Sequence, residues 1–209
     1  MPLTDWLISL ATDRLVKYFK VSRERPRAQG MVEETRRRIL DAATEVFAEY
    51  GFFKAPVELI AERAGVSKGL IFWYFKRKDD LVLEVASKAL PMDVMEACLN
   101  SNLTGSALLK CIGEAYLGKY SDPKMRNLLL HAMSATSSYK QLAELLERTC
   151  GELLREVALK AFGKAGTREL TKVRAFFGAL LCYSLHRPAG LDPREYVETF
   201  LAILLPQET

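Results

Sequence analysis

The sequence predicts an all-α protein with an N-terminal three-helix helix-turn-helix domain and a larger C-terminal helical domain. Three observations carry this prediction. Apolar residues recur at steps of three and four, as on a helix face, and no stretch alternates with period two long enough to build a sheet. A short turn with Gly65 joins two of the first helical stretches. The 209 residues, 49% of them apolar, far exceed what a helix-turn-helix alone needs.

In chain order, Leu3, Trp6, Leu7, Leu10, Ala11, Leu15 and Phe19 suggest an amphipathic helix of about four turns. The basic stretch of Arg23, Arg25, Pro26 and Arg27 follows it. Residues 1–30 are therefore read as an extension, open to three readings: a basic arm for a minor groove, a helix packed on its own protein, or a disordered leader with a solvated linker. Next, Ile39, Leu40, Ala43, Val46, Phe47 and Tyr50 form a stripe that closes at Gly51, a C-cap candidate. Val57, Ile60, Ala61 and Ala64 form a second stripe. Ser67 is placed to cap a third helix through Ile71 and Phe75. The run from Ile71 to Phe75 has strand propensity, but its neighbours are helical on both sides. Beyond Asp79, helices are expected between breaks at Pro91, Asn100–Gly105, Ser121–Pro123, Ser134–Ser138, Gly163–Gly166 and Arg187–Pro193. The expected domains are 1–30, the extension; 31–82, the helix-turn-helix; and 83–209, the larger helical domain.

Charge is uneven. The chain has 30 Lys+Arg against 26 Asp+Glu, a net charge of +4. Nine basic and three acidic groups lie between Arg14 and Arg38, and five basic groups with no acid between Arg63 and Lys78. Such patches suit a phosphate-contacting surface, which gains by releasing counterions, although a solvated helix face gives the same pattern. No stretch approaches the roughly 20 apolar residues of a membrane span. A secretory signal is not expected, because the apolar stretch from Trp6 to Ala11 follows Asp5 rather than a basic run. Cys98, Cys111, Cys150 and Cys182 show no C-x-x-C or zinc spacing, so four free thiols in a reducing cytoplasm are expected. Two histidines, no metal-ligand spacing, no Gly-rich phosphate loop and no nucleophile motif argue against an enzyme, a metal site or a cofactor.

Three stretches resemble the DNA-binding domain of TetR-type (tetracycline-repressor family) regulators. They are Arg38–Gly51, Val57–Gly69, and Tyr74-Phe75 with Lys78-Asp79-Asp80-Leu81. Ile39, Ala43, Phe47, Ile60, Ala61, Ala64, Ile71 and Phe75 would then form one small core. The resemblance implies a homodimer on double-stranded operator DNA. It places Lys68, Gly69, Leu70 and Phe72 towards bases, and Trp73, Tyr74 and Lys78 near phosphates. Core packing is the competing reading for Phe72, Trp73 and Tyr74. Pro56, Leu70 and Phe72 stand where the family commonly has Thr, Thr and Tyr, which removes polar contacts and favours shape readout.

In such regulators the last two helices pair with those of the mate. That points here to Arg168–His186, with Phe176, Phe177, Ala179, Leu180 and Tyr183, and to Pro193–Leu205, with Tyr196, Phe200, Ile203 and Leu204. Met95, Leu99, Tyr116, Tyr120, His131 and Phe177 are candidate lining for a small, mostly apolar effector, fatty acyl or aromatic; plain core is the competing reading. The expectation is a cytoplasmic, ligand-responsive repressor. Its alternative is a ligand-independent DNA binder with a filled C-terminal core.

Overall fold

A computed structural model of the protein describes residues 26–205, so the expected helix between Leu3 and Phe19 lies outside the described residues. Ten helices are present among them. The first, α1 (Pro26–Lys54), begins inside the stretch read as a linker; proline suits a first helical turn, where its missing N–H has no partner to lose. Its opening turns, up to Arg37, form a unit with local contacts: Thr35 Oγ1 donates to the Met31 carbonyl, and Arg37 pairs with Glu34.

From Arg38 onward α1 turns amphipathic, burying Ile39, Ala43, Val46 and Phe47 completely. Tyr50 departs from its stripe and is 47% exposed. Gly51 breaks the helix with φ 72° and ψ 166°, and one more turn runs to Lys54. This turn drives Phe52 inward against Phe47, ring centroids 5.1 Å apart. Next come α2 (Val57–Ala64) and α3 (Lys68–Tyr74). Gly65 between them has φ 61°, a left-handed conformation that a side chain resists. Its N–H donates to the Glu62 carbonyl and that of Val66 to Ala61. Ser67 Oγ accepts from the Leu70 N–H at 3.2 Å, capping α3. All eight expected core residues are buried. The Ile71–Phe75 run is helical up to Tyr74, because Ile71 and Phe75, four apart, fill this core together.

The remaining helices are α4 (Lys78–Ala89), α5 (Met92–Leu99), α6 (Gly105–Lys119), α7 (Pro123–Ala135), α8 (Lys140–Phe162), α9 (Thr167–Leu185) and α10 (Pro193–Leu204). Their ends fall at the expected breaks. Asp122 and Asp192 cap α7 and α10 through their carboxylates, each just ahead of a proline in the first turn. Helix α6 packs against α5, α8, α9 and α10, while α4 packs on α7 and α8.

The expectation of four free thiols is corrected. Cys98 and Cys111 are joined in a disulfide, with Cα atoms 6.1 Å apart; Cys150 and Cys182 are free. Spacing rules look for cysteines close in sequence, whereas this pair meets because α5 and α6 fold back on each other across residues 100–104.

Candidate nucleic-acid interface and C-terminal core

Helix α3 has two chemically distinct faces. Ile71 and Phe75 point into the core. Lys68 and Gly69 are exposed, Leu70 and Phe72 are each 37% exposed, and Trp73 is 65% exposed. Burying the first face fixes the second, because side chains 100° apart cannot share a side of a short helix. Tyr74 is half-buried, with its ring 4.8 Å from that of Trp73 in an edge-on arrangement. Core packing is thus excluded for Trp73 and is partial for Tyr74.

The cations around α3 differ in what holds them. Lys68 Nζ sits 2.5 Å from Glu58 Oε1 and 5.9 Å from the Phe72 ring centre. The Lys68 bond holds the Glu58 carboxyl below its usual range. Both side chains are more than half exposed, so the pair is weakly bound and its ammonium can be drawn off by another acceptor. Lys78, also expected near phosphates, donates to the Phe53 carbonyl at 3.0 Å and the Ala55 carbonyl at 2.8 Å. It therefore caps the end of α1, and burial pushes its ammonium pKa down. Lys76 and Arg77, exposed directly after α3, were not singled out in the sequence, although both stand in the acid-free basic window.

The C-terminal candidates separate into two places. Tyr116, Tyr120 and Phe177 come together: the tyrosine rings are 4.6 Å apart and Phe177 is 6.1 Å from Tyr116. Tyr120 is fully buried and donates from its hydroxyl to the Ala89 carbonyl at 2.8 Å. Burial raises the phenol pKa of both tyrosines strongly. Met95 and Leu99 are buried on α5. His131, on α7, lies elsewhere. A Cβ on Gly51 would sit 3.3 Å from its ring, and Phe52 meets it edge-on at 6.3 Å. His131 therefore lies under the helix-turn-helix and lines, with Tyr50, Phe53, Lys54 and Ser134, an open hollow of about 240 Å³.

The family model for bacterial regulatory proteins of the tetR family matches residues 39–85, the stretch that builds this three-helix unit. Residues 39–85 thus form a TetR-family helix-turn-helix domain. Proteins of this family bind DNA and regulate transcription; they are not enzymes. Among similar proteins, the HTH-type transcriptional regulator SrpR of Pseudomonas putida is 43% identical over 63 residues, covering 30% of each chain. The regulator BetI of Escherichia coli is 28% identical over 151 residues, 63% of this chain and 76% of that one. The matched stretches span only 30% to 47% of the length of the first three curated relatives. The solved structure of FadR from Bacillus subtilis in complex with stearoyl-CoA superposes with a TM-score of 0.67. It covers 81% of this chain and 97% of that one at 21% identity, so this likeness is one of fold. Among the described residues, no helix is long and apolar enough to cross a membrane.

Proposed function

We propose that this TetR-family regulator is a homodimeric, ligand-responsive repressor that reads its operator with the outer face of α3. The exposed row of Lys68, Leu70, Phe72 and Trp73, fixed by burial of Ile71 and Phe75, carries this reading. A helix so exposed fits a major groove, with Lys68 placed for guanine O6 or N7 and Leu70 and Phe72 for thymine methyls. Lys76 and Arg77 extend the phosphate-facing surface. Lys78 serves it indirectly, by holding α1 to the start of α4.

For the dimer, α9 and α10 divide their apolar residues. Phe176, Leu180 and Tyr183 are buried within the protomer and are removed from the interface candidates. Ile203, 70% exposed, remains with half-buried Phe200, and Leu185, 37% exposed, and half-buried Leu181 join them although the sequence did not single them out. An exposed apolar face on the last two helices supports their pairing with a second copy.

The effector site we place at Tyr116, Tyr120 and Phe177. Entry of a fatty acyl or aromatic ligand there displaces the Tyr120 hydroxyl from Ala89, the last residue of α4. That helix, twelve residues and about 18 Å long, starts at Lys78 against the helix-turn-helix. The acyl class is supported by a Bacillus subtilis relative described as a fatty acid metabolism regulator, 47% identical over 47 residues. A second reading, ligand-independent DNA binding, is favoured by one observation: Tyr120 is fully buried with its hydroxyl bonded.

Titration of the protein against DNA from upstream of its own gene, at several salt concentrations, tests the reading. Expected is sequence-preferring binding that weakens with salt. Lys68→Ala should relax base preference, whereas Lys76→Gln should weaken all sequences alike. Release of that DNA by a long-chain acyl-CoA or an aromatic acid selects the ligand-responsive form, and indifference to both selects the second reading. Absence of preference for any sequence overturns both.

A further inference from the structure

The cysteine pair is not used in the function above. Cys98, next to last in α5, is 3% exposed; Cys111, in α6, is half-buried. Both are on helices that pack against each other. We propose that Cys98 and Cys111 form a reversible oxidation site for small hydroperoxides, and that its state sets how firmly α5 and the end of α4 are held on α6.

The chemistry closes within the pair. Cys111, the more accessible, attacks a peroxide oxygen as thiolate. The O–O bond breaks, Cys111 becomes a sulfenic acid, and the departing oxygen takes up a proton and leaves as water or an alcohol. The Cys98 sulfur then attacks the Cys111 sulfur, the S–O bond breaks, and water leaves with the remaining proton. Two thiols lose two electrons and one peroxide gains them. The other two cysteines do not share this arrangement. Burial pushes the Cys150 thiol pKa up, and Cys150 and Cys182 remain free in a structure where the pair is joined.

Contacts other than the disulfide also hold helix α5, which suits a site that opens and closes reversibly. Lys160 Nζ donates to the Leu99 and Ser101 carbonyls at one end of α5. At the other end Lys119 Nζ donates to the Lys88 and Leu90 carbonyls and pairs with Asp93. Oxidation therefore adds a covalent constraint to a docked helix. Only Leu90 and Pro91 separate α5 from Ala89, whose carbonyl accepts from Tyr120. The constraint thus reaches the point where α4 is anchored. Its consequence for DNA rests on the proposed role of α4; the thiol chemistry does not.

The full chain carrying Cys150→Ser and Cys182→Ser isolates the pair. Equimolar hydrogen peroxide should remove both iodoacetamide-reactive thiols, and dithiothreitol under native conditions should restore them. With Cys98→Ser added, Cys111 should stop at a sulfenic acid that dimedone traps; with Cys111→Ser added instead, Cys98 should stay a thiol. Amide hydrogen exchange in α5 and the last turn of α4 should slow by about tenfold on oxidation. Affinity for the upstream DNA should differ at least threefold between the two states. Thiols that survive excess peroxide, or a bond that dithiothreitol opens only in denaturant, overturn the oxidation site. Unchanged exchange after oxidation overturns its hold on α4. A protein that binds no DNA in either state while both thiol and exchange readouts behave as expected refutes the operator reading and leaves the site standing.

Discussion

Replacing Gly51 with alanine probes the seat of the helix-turn-helix on α7. Gly51 has φ 72° and ψ 166°, a region that residues with a Cβ avoid at a cost of about 1–3 kcal/mol. The new Cβ would lie 3.3 Å from both Cε1 and Nδ1 of His131, so the imidazole must also move by a few tenths of an ångström. It has little room, because Phe52 packs against it. Strain and contact together give an expected loss of about 2–4 kcal/mol, a large share of the roughly 5–15 kcal/mol that holds a domain folded. Urea unfolding should show a lower midpoint at an unchanged m-value. Adding His131→Ala removes the contact but not the backbone strain, so it should recover only about 1 kcal/mol or less. A Gly51→Ala protein within about 0.5 kcal/mol of the parent would refute the requirement for glycine at this turn.

Trp73→Ala should leave stability within about 0.5 kcal/mol, since the ring is 65% exposed, while weakening DNA binding roughly tenfold in a fluorescence titration; equal binding would remove Trp73 from the interface. Ile203→Asp should yield a helical monomer in sedimentation experiments, and a persistent dimer would count against the α9–α10 face. Tyr120→Phe should cost about 1–2 kcal/mol on denaturation, because the Ala89 carbonyl loses its donor in a buried setting. Lys78→Met should lower both stability and DNA affinity, because the ammonium caps two carbonyls at the end of α1; a loss in affinity alone would make Lys78 a direct phosphate contact.

The three-helix unit was legible because its information is local. Ile39, Ala43 and Phe47 lie on one helix face by spacing alone, and Gly65 and Ser67 mark the turn and the cap by their own chemistry. The outward face of α3 followed from the inward one. Pairings across long stretches of chain were not legible in this way. Nothing in the sequence sets Cys98 against Cys111 until α5 and α6 fold back on each other, and nothing sends Lys78 to the Phe53 and Ala55 carbonyls. His131 shows the same limit. Its apolar neighbourhood in sequence left core and pocket both open; the residue packs on Gly51 and Phe52, far upstream in the chain, and lines the open hollow there. On α9, periodicity gave Phe176 and Phe177 equal claims to an interface, and only packing separated the buried ring from the half-buried one.

The anchoring of α4 is what gives the proposed effector site a route to DNA. At its start Lys78 holds the end of α1, and Asp80 accepts from the Arg77 N–H. At its end the Lys88, Ala89 and Leu90 carbonyls accept from Lys119 and Tyr120. A helix fixed at both ends transmits a displacement rather than absorbing it, since its backbone hydrogen bonds resist compression and bending. Two of the three end acceptors answer to the Lys119 ammonium alone, so loss of Tyr120 releases one anchor without unseating the helix. That arrangement favours a shift of position over local melting. A ligand exploits it only to the extent that it binds the shifted form more tightly than the resting one. Tyr120→Phe therefore has a second consequence beyond its stability cost. With the Ala89 bond already absent, ligand entry no longer has to break it, and the mutant should release DNA at lower ligand concentration than the parent. If the mutant needs more ligand, Tyr120 contributes more to holding the effector than to holding α4.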